Sequence, residues 1–140
     1  MSVLDYFNGS PFRELVGIEI TEAADGHAEG RLQLEEKHSS NGKTMIAQGG
    51  VTFTLADSVG GAAAVSVVER PTPTIDFRID YLAPATDDLL AVGDVVRAGN
   101  ETAVVDVDVT DSTGRTVATG RGVYKTGGSS ADAPWDLDHQ

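Results

Sequence analysis

The stretch Gly50–Val68 contains no proline, and Val51, Leu55, Val59, Ala62 and Val65 recur along it at helical spacing. That pattern predicts one long helix with an apolar stripe, which must find a surface to bury itself against. Glu69-Arg70-Pro71-Thr72-Pro73 ends it, because proline cannot continue a helix. Immediately afterwards the period switches from helical to two. Ile75, Phe77, Ile79 and Tyr81 fall on one face of a strand, and Asp76, Arg78 and Asp80 on the other.

The remaining segments supply more strands. Met1–Leu15 reads as a short helical lead-in broken by a turn at Asn8-Gly9-Ser10-Pro11, and Val16–Ile20 as a short apolar strand. His27–Glu36 alternates Ala28, Gly30, Leu32 and Leu34 with polar residues, the mark of a strand with one wet face. Lys37–Ala47 is a polar loop carrying Asn41-Gly42. Leu89–Ala98, Glu101–Thr110 and Arg115–Lys125 follow the proline segment as strands, the last two joined by Asp111-Ser112-Thr113-Gly114. Two strands, one helix and four strands in meander order predict an α+β fold, a helix lying across a curved antiparallel sheet. Residues 1–126 form the single expected domain; 127–140, with Trp135, have the composition of a disordered tail.

Composition narrows the functions. Twenty-two acidic residues against ten basic ones give a net charge of −12, the wrong sign for nucleic acid. Only Lys37, Lys43 and Lys125 are lysines, and the Asp-rich surface suits a salty medium that screens self-repulsion. With no cysteine, disulfides, thiolate metal sites and thiol nucleophiles drop out. Histidines at 27, 38 and 139 are too scattered for a His-rich metal site. No leader is evident in Met1–Ser10 and no membrane-spanning run is expected, so a cytoplasmic protein is the expectation.

Chemistry concentrates at the helix. Gly49-Gly50 leave backbone N–H groups uncovered at the positive end of the helix dipole, where a carbonyl oxygen gaining negative charge would be stabilised. The plainer reading is a tight turn. Asp57 lies mid-helix among Phe53, Thr54, Gly60 and Gly61, a setting that could desolvate and tune a carboxylate as base or nucleophile. Its plainer reading is a surface Asp, or one paired with Arg78. Gly49 and Asp57 are eight residues apart, about 12 Å along a helix. One carbonyl cannot meet both on the same helix. If they cooperate they come from two subunits with helices side by side, an approach that Gly60-Gly61-Ala62-Ala63-Ala64 permits.

Gly49-Gly50, Leu55-Ala56-Asp57 and Asp76-Phe-Arg-Ile-Asp-Tyr81-Leu-Ala-Pro84, in this order and spacing, resemble the hot-dog-fold acyl-CoA thioesterases, nearest to the phenylacetate-pathway (PaaI-like) branch. The resemblance covers about residues 10–126. It implies a curved sheet wrapped around one central helix, a homodimer or a dimer-of-dimers tetramer, and an acyl-CoA substrate with no further cofactor. By the same resemblance Asp57 is the catalytic carboxylate, Gly49 or Gly50 the oxyanion donor, Asn41 the side chain orienting thioester or water, and Thr74 the hydroxyl holding the attacking water. Gln48 stands where the family usually has His; its amide donates a hydrogen bond but takes up no proton. The interval from Asn41 to Gln48 is one residue longer than usual, which leaves His38 or Ser40 as stand-ins for Asn41. Lys43, Arg78, Arg97, Arg121 and Lys125 are candidate partners for the CoA phosphates. A non-catalytic acyl-CoA-binding module is the main alternative; a hydratase ranks last, because no His falls in the helix or the later strands.

Overall fold

The computed structural model describes residues 2–127; the expected tail beyond lies outside the described residues. Two short helices, α1 (Val3–Asn8) and α2 (Pro11–Val16), precede the hairpin β1 (Ile18–Ala24) and β2 (His27–Leu32). Helix α3 (Gly49–Val68) follows, then β3 (Thr74–Tyr81), β4 (Leu89–Ala98), β5 (Thr102–Asp111) and β6 (Thr116–Lys125). All six strands form one sheet in the order β1-β2-β4-β5-β6-β3, every pair antiparallel. The sheet wraps α3 in the expected hot-dog arrangement.

Three expectations are corrected. The last four strands are not a meander: β3 pairs with β6 at the far edge, and β4 pairs with β2. The chain leaving α3 starts at one edge and crosses the sheet after Tyr81, so the β1–β2 hairpin closes on β4. Nor does α3 bury a single stripe. Ser58 through Val65 are buried on every side, because strands curl around the helix and Phe7 of α1 covers part of what remains. By length and composition α3 would pass for a membrane span, with mean hydropathy 1.5, contrary to the expectation that no run would. Most of it is enclosed by its own sheet.

Small residues make that enclosure possible. A Cβ on Gly30 of β2 would stand 2.7 Å from Val59 Cγ2, so the strand crosses the helix at a distance only glycine allows. Val59, Leu55, Ala62 and Ala63 meet Val105, Val107 and Val109 of β5 in the core. At one edge the Asn8 side chain closes β1, accepting from Ile20 N–H (2.8 Å) and donating to Ile20 C=O (2.9 Å). The opposite edge, β3, is open: Ile75 is 57% and Tyr81 53% exposed.

On the outer face, His27 of β2 lies between Asp94 (2.7 Å) and Glu29 (2.8 Å). Hydrogen bonds first to Asp94 and then to Glu29 push its pKa up to about 9. A raised pKa stabilises the fold fully below the unfolded value of about 6.5, and that contribution is lost as pH climbs through 9. Chemical denaturation should therefore show stability falling between roughly pH 6.5 and 9, and His27→Gln should remove about 1 kcal/mol of that slope, given the solvent screening of this half-exposed cluster. Separately, Gly30→Ala should cost about 1–3 kcal/mol in the same measurement, as overpacking against Val59.

Candidate active site

Asp57 sits half-buried in the middle of α3, and two hydroxyls converge on it. Thr74, the first residue of β3, donates its Oγ1–H to Asp57 Oδ1 at 2.9 Å. Tyr124 of β6 donates to the same Oδ1 (3.2 Å) and to the Asp57 main-chain carbonyl (3.0 Å). Thr74 and Tyr124 are directly opposite each other in the β3–β6 ladder, which is why both reach one carboxylate. Oδ2 is left with no donor among the described residues. Arg78 pairs instead with Asp80 (3.1 Å), so the plain ion-pair reading of Asp57 does not hold.

Backbone rigidity fixes this geometry. Glu69 ends α3 in the left-handed conformation (φ 60°), and Pro71 and Pro73 then hold φ fixed up to Thr74. Pro73 C=O accepts from Lys125 N–H (2.9 Å), docking the segment on β6. Tyr124 is fully buried, and its ring occupies the space that a Cβ on Gly60 would need. Burial, reinforced by the nearby Asp57 charge, pushes the phenol pKa far up, so the hydroxyl remains a donor.

Sequence reasoning missed Tyr124 and Arg13. Arg13 of α2 donates Nε–H to Ser58 Oγ (2.9 Å) and lies 4.5 Å over the Phe7 ring. Burial lowers its pKa from the ordinary guanidinium value, opposed by Tyr6 and then Asp57. No periodicity marks either residue; they reach Asp57 only through the tertiary fold. Arg13, Asp57, Thr72 and Thr74 line a cavity of about 290 Å³ between the lead-in helices and the start of β3.

The helix start lies elsewhere. Gly49 lines a separate cavity of about 480 Å³ with Ile46, Thr52, Tyr81 and the Leu82–Ala85 segment. Tyr81 donates its hydroxyl to Gly49 C=O (2.7 Å). Gln48 is the helix N-cap, and its Oε1 accepts from Gly50 N–H at 2.5 Å. Gly50 is thus already satisfied, whereas the Gly49 N–H meets no acceptor among the described residues. Of the two glycines, Gly49 is the one whose N–H is unbonded among the described residues.

Asn41 does not join them. Its Oδ1 accepts from Lys43 N–H, Thr44 N–H and Thr44 Oγ1, closing the loop turn. His38 is buried and structural: its Nδ1 accepts from Glu35 N–H (2.9 Å), so Nε2 carries the proton donated to Val16 C=O (2.5 Å). Ser40 donates its main-chain N–H to Ile46 C=O (2.9 Å). Two of the CoA-phosphate candidates, Arg78 and Arg121, are in ion pairs with Asp80 and Asp106. The ligand atoms of Glu22, His27 and Glu29 lie within 4.8 Å of one another, the spacing of a metal site. Both His27 ring nitrogens already donate to carboxylates, so the group is an ion-paired imidazolium cluster. Tyr124→Phe should leave the fold intact but cost about 1–3 kcal/mol by urea unfolding, since it strips a buried carbonyl and carboxylate of one donor.

Residues 46–118 match the family model of the thioesterase superfamily. A protein of Halobacterium salinarum named as an esterase is 31% identical over 134 residues, covering 88% of this chain and 89% of that one. The crystal structure of a Shewanella oneidensis protein related to the thioesterase superfamily superposes with TM-score 0.83 at 30% identity, over 89% of this chain and 93% of the other. The E. coli PaaI protein from the phenylacetic acid degradation operon gives TM-score 0.80 at 25% identity, over 89% and 90%.

Proposed function

Since the chain belongs to the thioesterase superfamily, in its PaaI-like branch, we propose that it hydrolyses the thioester of an aryl- or short- to medium-chain acyl-CoA, with Asp57 as base or nucleophile. The observation that carries this reading is the lopsided solvation of Asp57. Thr74 and Tyr124 both bind Oδ1, which fixes the carboxylate plane and leaves Oδ2 for water or the thioester carbonyl carbon. In the reaction an oxygen nucleophile adds to that carbon. The carbonyl oxygen becomes negative and accepts from the Gly49 N–H at the α3 N-terminus. Collapse then breaks the C–S bond: with Asp57 as base, the proton it took from water passes to the departing thiolate; with Asp57 as nucleophile, water then cleaves the acyl–Asp57 anhydride and supplies that proton.

The two groups belong to different subunits in this proposal. Eight helical residues separate Gly49 from Asp57, and within one protomer they open into different cavities. The open edge of β3, with Ile75 and Tyr81 exposed, supports a homodimer in which the sheet continues across a two-fold axis and sets two α3 helices side by side. Gln48 serves as a cap in this scheme, orienting the helix start without moving protons. Acyl-CoA is substrate, and no other cofactor enters.

The capped Gly50 also favours a second reading, an acyl-CoA-binding module that does not turn over, because one of two N–H donors at the helix start is already used. Release of free thiol from an acyl-CoA panel separates the two. Asp57→Asn should lower kcat by about 100- to 10,000-fold while the protein stays folded and dimeric. Parent-rate hydrolysis by that variant would remove Asp57 from the mechanism; binding without turnover in the wild type would identify the module.

A further inference from the structure

The cavity beside Asp57 has an unusual lining for a chain with 22 acidic residues. One side is apolar, formed by Tyr6, Phe7, Val65 and the two prolines flanking Thr72. The other holds two hydrogen-bonding groups that the fold leaves unused. Thr72 is 8% exposed, and its Oγ1 is buried with no hydrogen-bond partner. Buried hydroxyls are almost always satisfied, so an orphan one lining a cavity points to a ligand atom. Arg13 uses only Nε, on Ser58; its Nη donors meet no acceptor among the described residues. The Asp57 charge acts on this half-buried guanidinium across the cavity without a hydrogen bond, so the Nη edge stays open to an electron-rich group that arrives with the ligand.

We propose that this cavity receives the acyl group, and that Arg13 and Thr72 select acyl groups whose far end carries an acceptor oxygen, as a carboxylate or a hydroxyl. The inference rests on the thioesterase reading, which places the scissile carbonyl at Asp57. Arg13 offers donors in a planar fork that suits a carboxylate, and the Thr72 hydroxyl can donate to either end group. At about 290 Å³ the space suits a compact acyl group rather than a long chain. Van der Waals contact with Phe7 and Val65 would hold the methylenes. An acyl group ending in methyl would fill the same volume yet leave Thr72 and Arg13 unpaired, and sites built to bind a polar group reject the analogue that lacks it.

The test compares isosteric pairs of CoA thioesters: adipyl- against 6-methylheptanoyl-CoA, and 6-hydroxyhexanoyl- against heptanoyl-CoA. Wild-type kcat/KM should favour the oxygen-ended member of at least one pair by about tenfold or more, and the pair that shows it distinguishes carboxylate from hydroxyl. Arg13→Met, which keeps the stacking on Phe7, and Thr72→Val should each collapse that ratio toward one, and Arg13→Lys should restore part of it for the carboxylate. A general loss of folding lowers both members together and leaves the ratio in place, so the ratio reports selection alone. Calorimetric binding of the same four thioesters to Asp57→Asn repeats the comparison without turnover, keeping the selectivity measurable even if hydrolysis is absent. Equal or better use of the methyl-ended compounds by the wild type, in both kinetics and binding, overturns the proposal. So does a ratio that Arg13→Met and Thr72→Val leave unchanged.

Discussion

The hydroxyl of Tyr124 joins the sheet to the helix at Asp57, the residue on which the proposed chemistry depends. It reaches Asp57 because β6 passes over α3 where the helix carries Gly60, and any larger residue there would occupy the space of the phenol ring. Tyr124 binds both the main chain and the carboxylate of Asp57, so it fixes the position of the helix and the orientation of the side chain together. Thr74, opposite Tyr124 in the ladder, completes the clamp. A carboxylate with both donors on one oxygen has a defined second oxygen, and on that asymmetry the proposed mechanism rests.

The same close packing explains why the proposed site needs two subunits. Gly and Ala from Gly60 to Ala64 let the sheet wrap α3 tightly, and the helix runs unbroken from Gly49 past Asp57. An unbroken helix cannot bring its N-terminus to its own middle. Asn8 caps Ile20 at the β1 edge while β3 stays open, so among the described residues β3 is the edge that offers a line for a second copy. In the proposed dimer that line lies alongside α3, where each subunit's missing half would arrive.

Much of this was legible in the sequence. The helix was readable from its unbroken apolar period, and β3 from the switch to alternation after Pro73; both depend on local periodicity. Asp57 and the Gly49-Gly50 pair stood out because charge and glycine in a helix are locally anomalous. Strand order was not readable, since the choice of β6 over β4 as partner for β3 is made by a crossing loop whose path no local pattern records. Tyr124 and Arg13 were invisible for a similar reason: one is an aromatic in a strand, the other a cation in a short amphipathic helix, and only tertiary packing brings them to Asp57. Asn41 stood out by resemblance, and its turn contacts were not readable from it: its oxygen accepts from Lys43 and Thr44 within the loop.

The central claim is that an Asp57 from one subunit works with a Gly49 N–H from the other, and subunit mixing tests it directly. Gly49→Pro removes that N–H at the first helical position, which favours proline, with the Tyr81 ring, 3.2 Å from a Cβ there, giving way slightly. Asp57→Asn and Gly49→Pro proteins, each inactive alone, would be unfolded and refolded together, and acyl-CoA hydrolysis measured. Random pairing makes about half the dimers mixed, each with one intact cross-subunit site, so activity should return to about a quarter of the wild-type rate. No recovery from a mixture shown to contain mixed dimers would place both groups in one protomer's site and contradict the account.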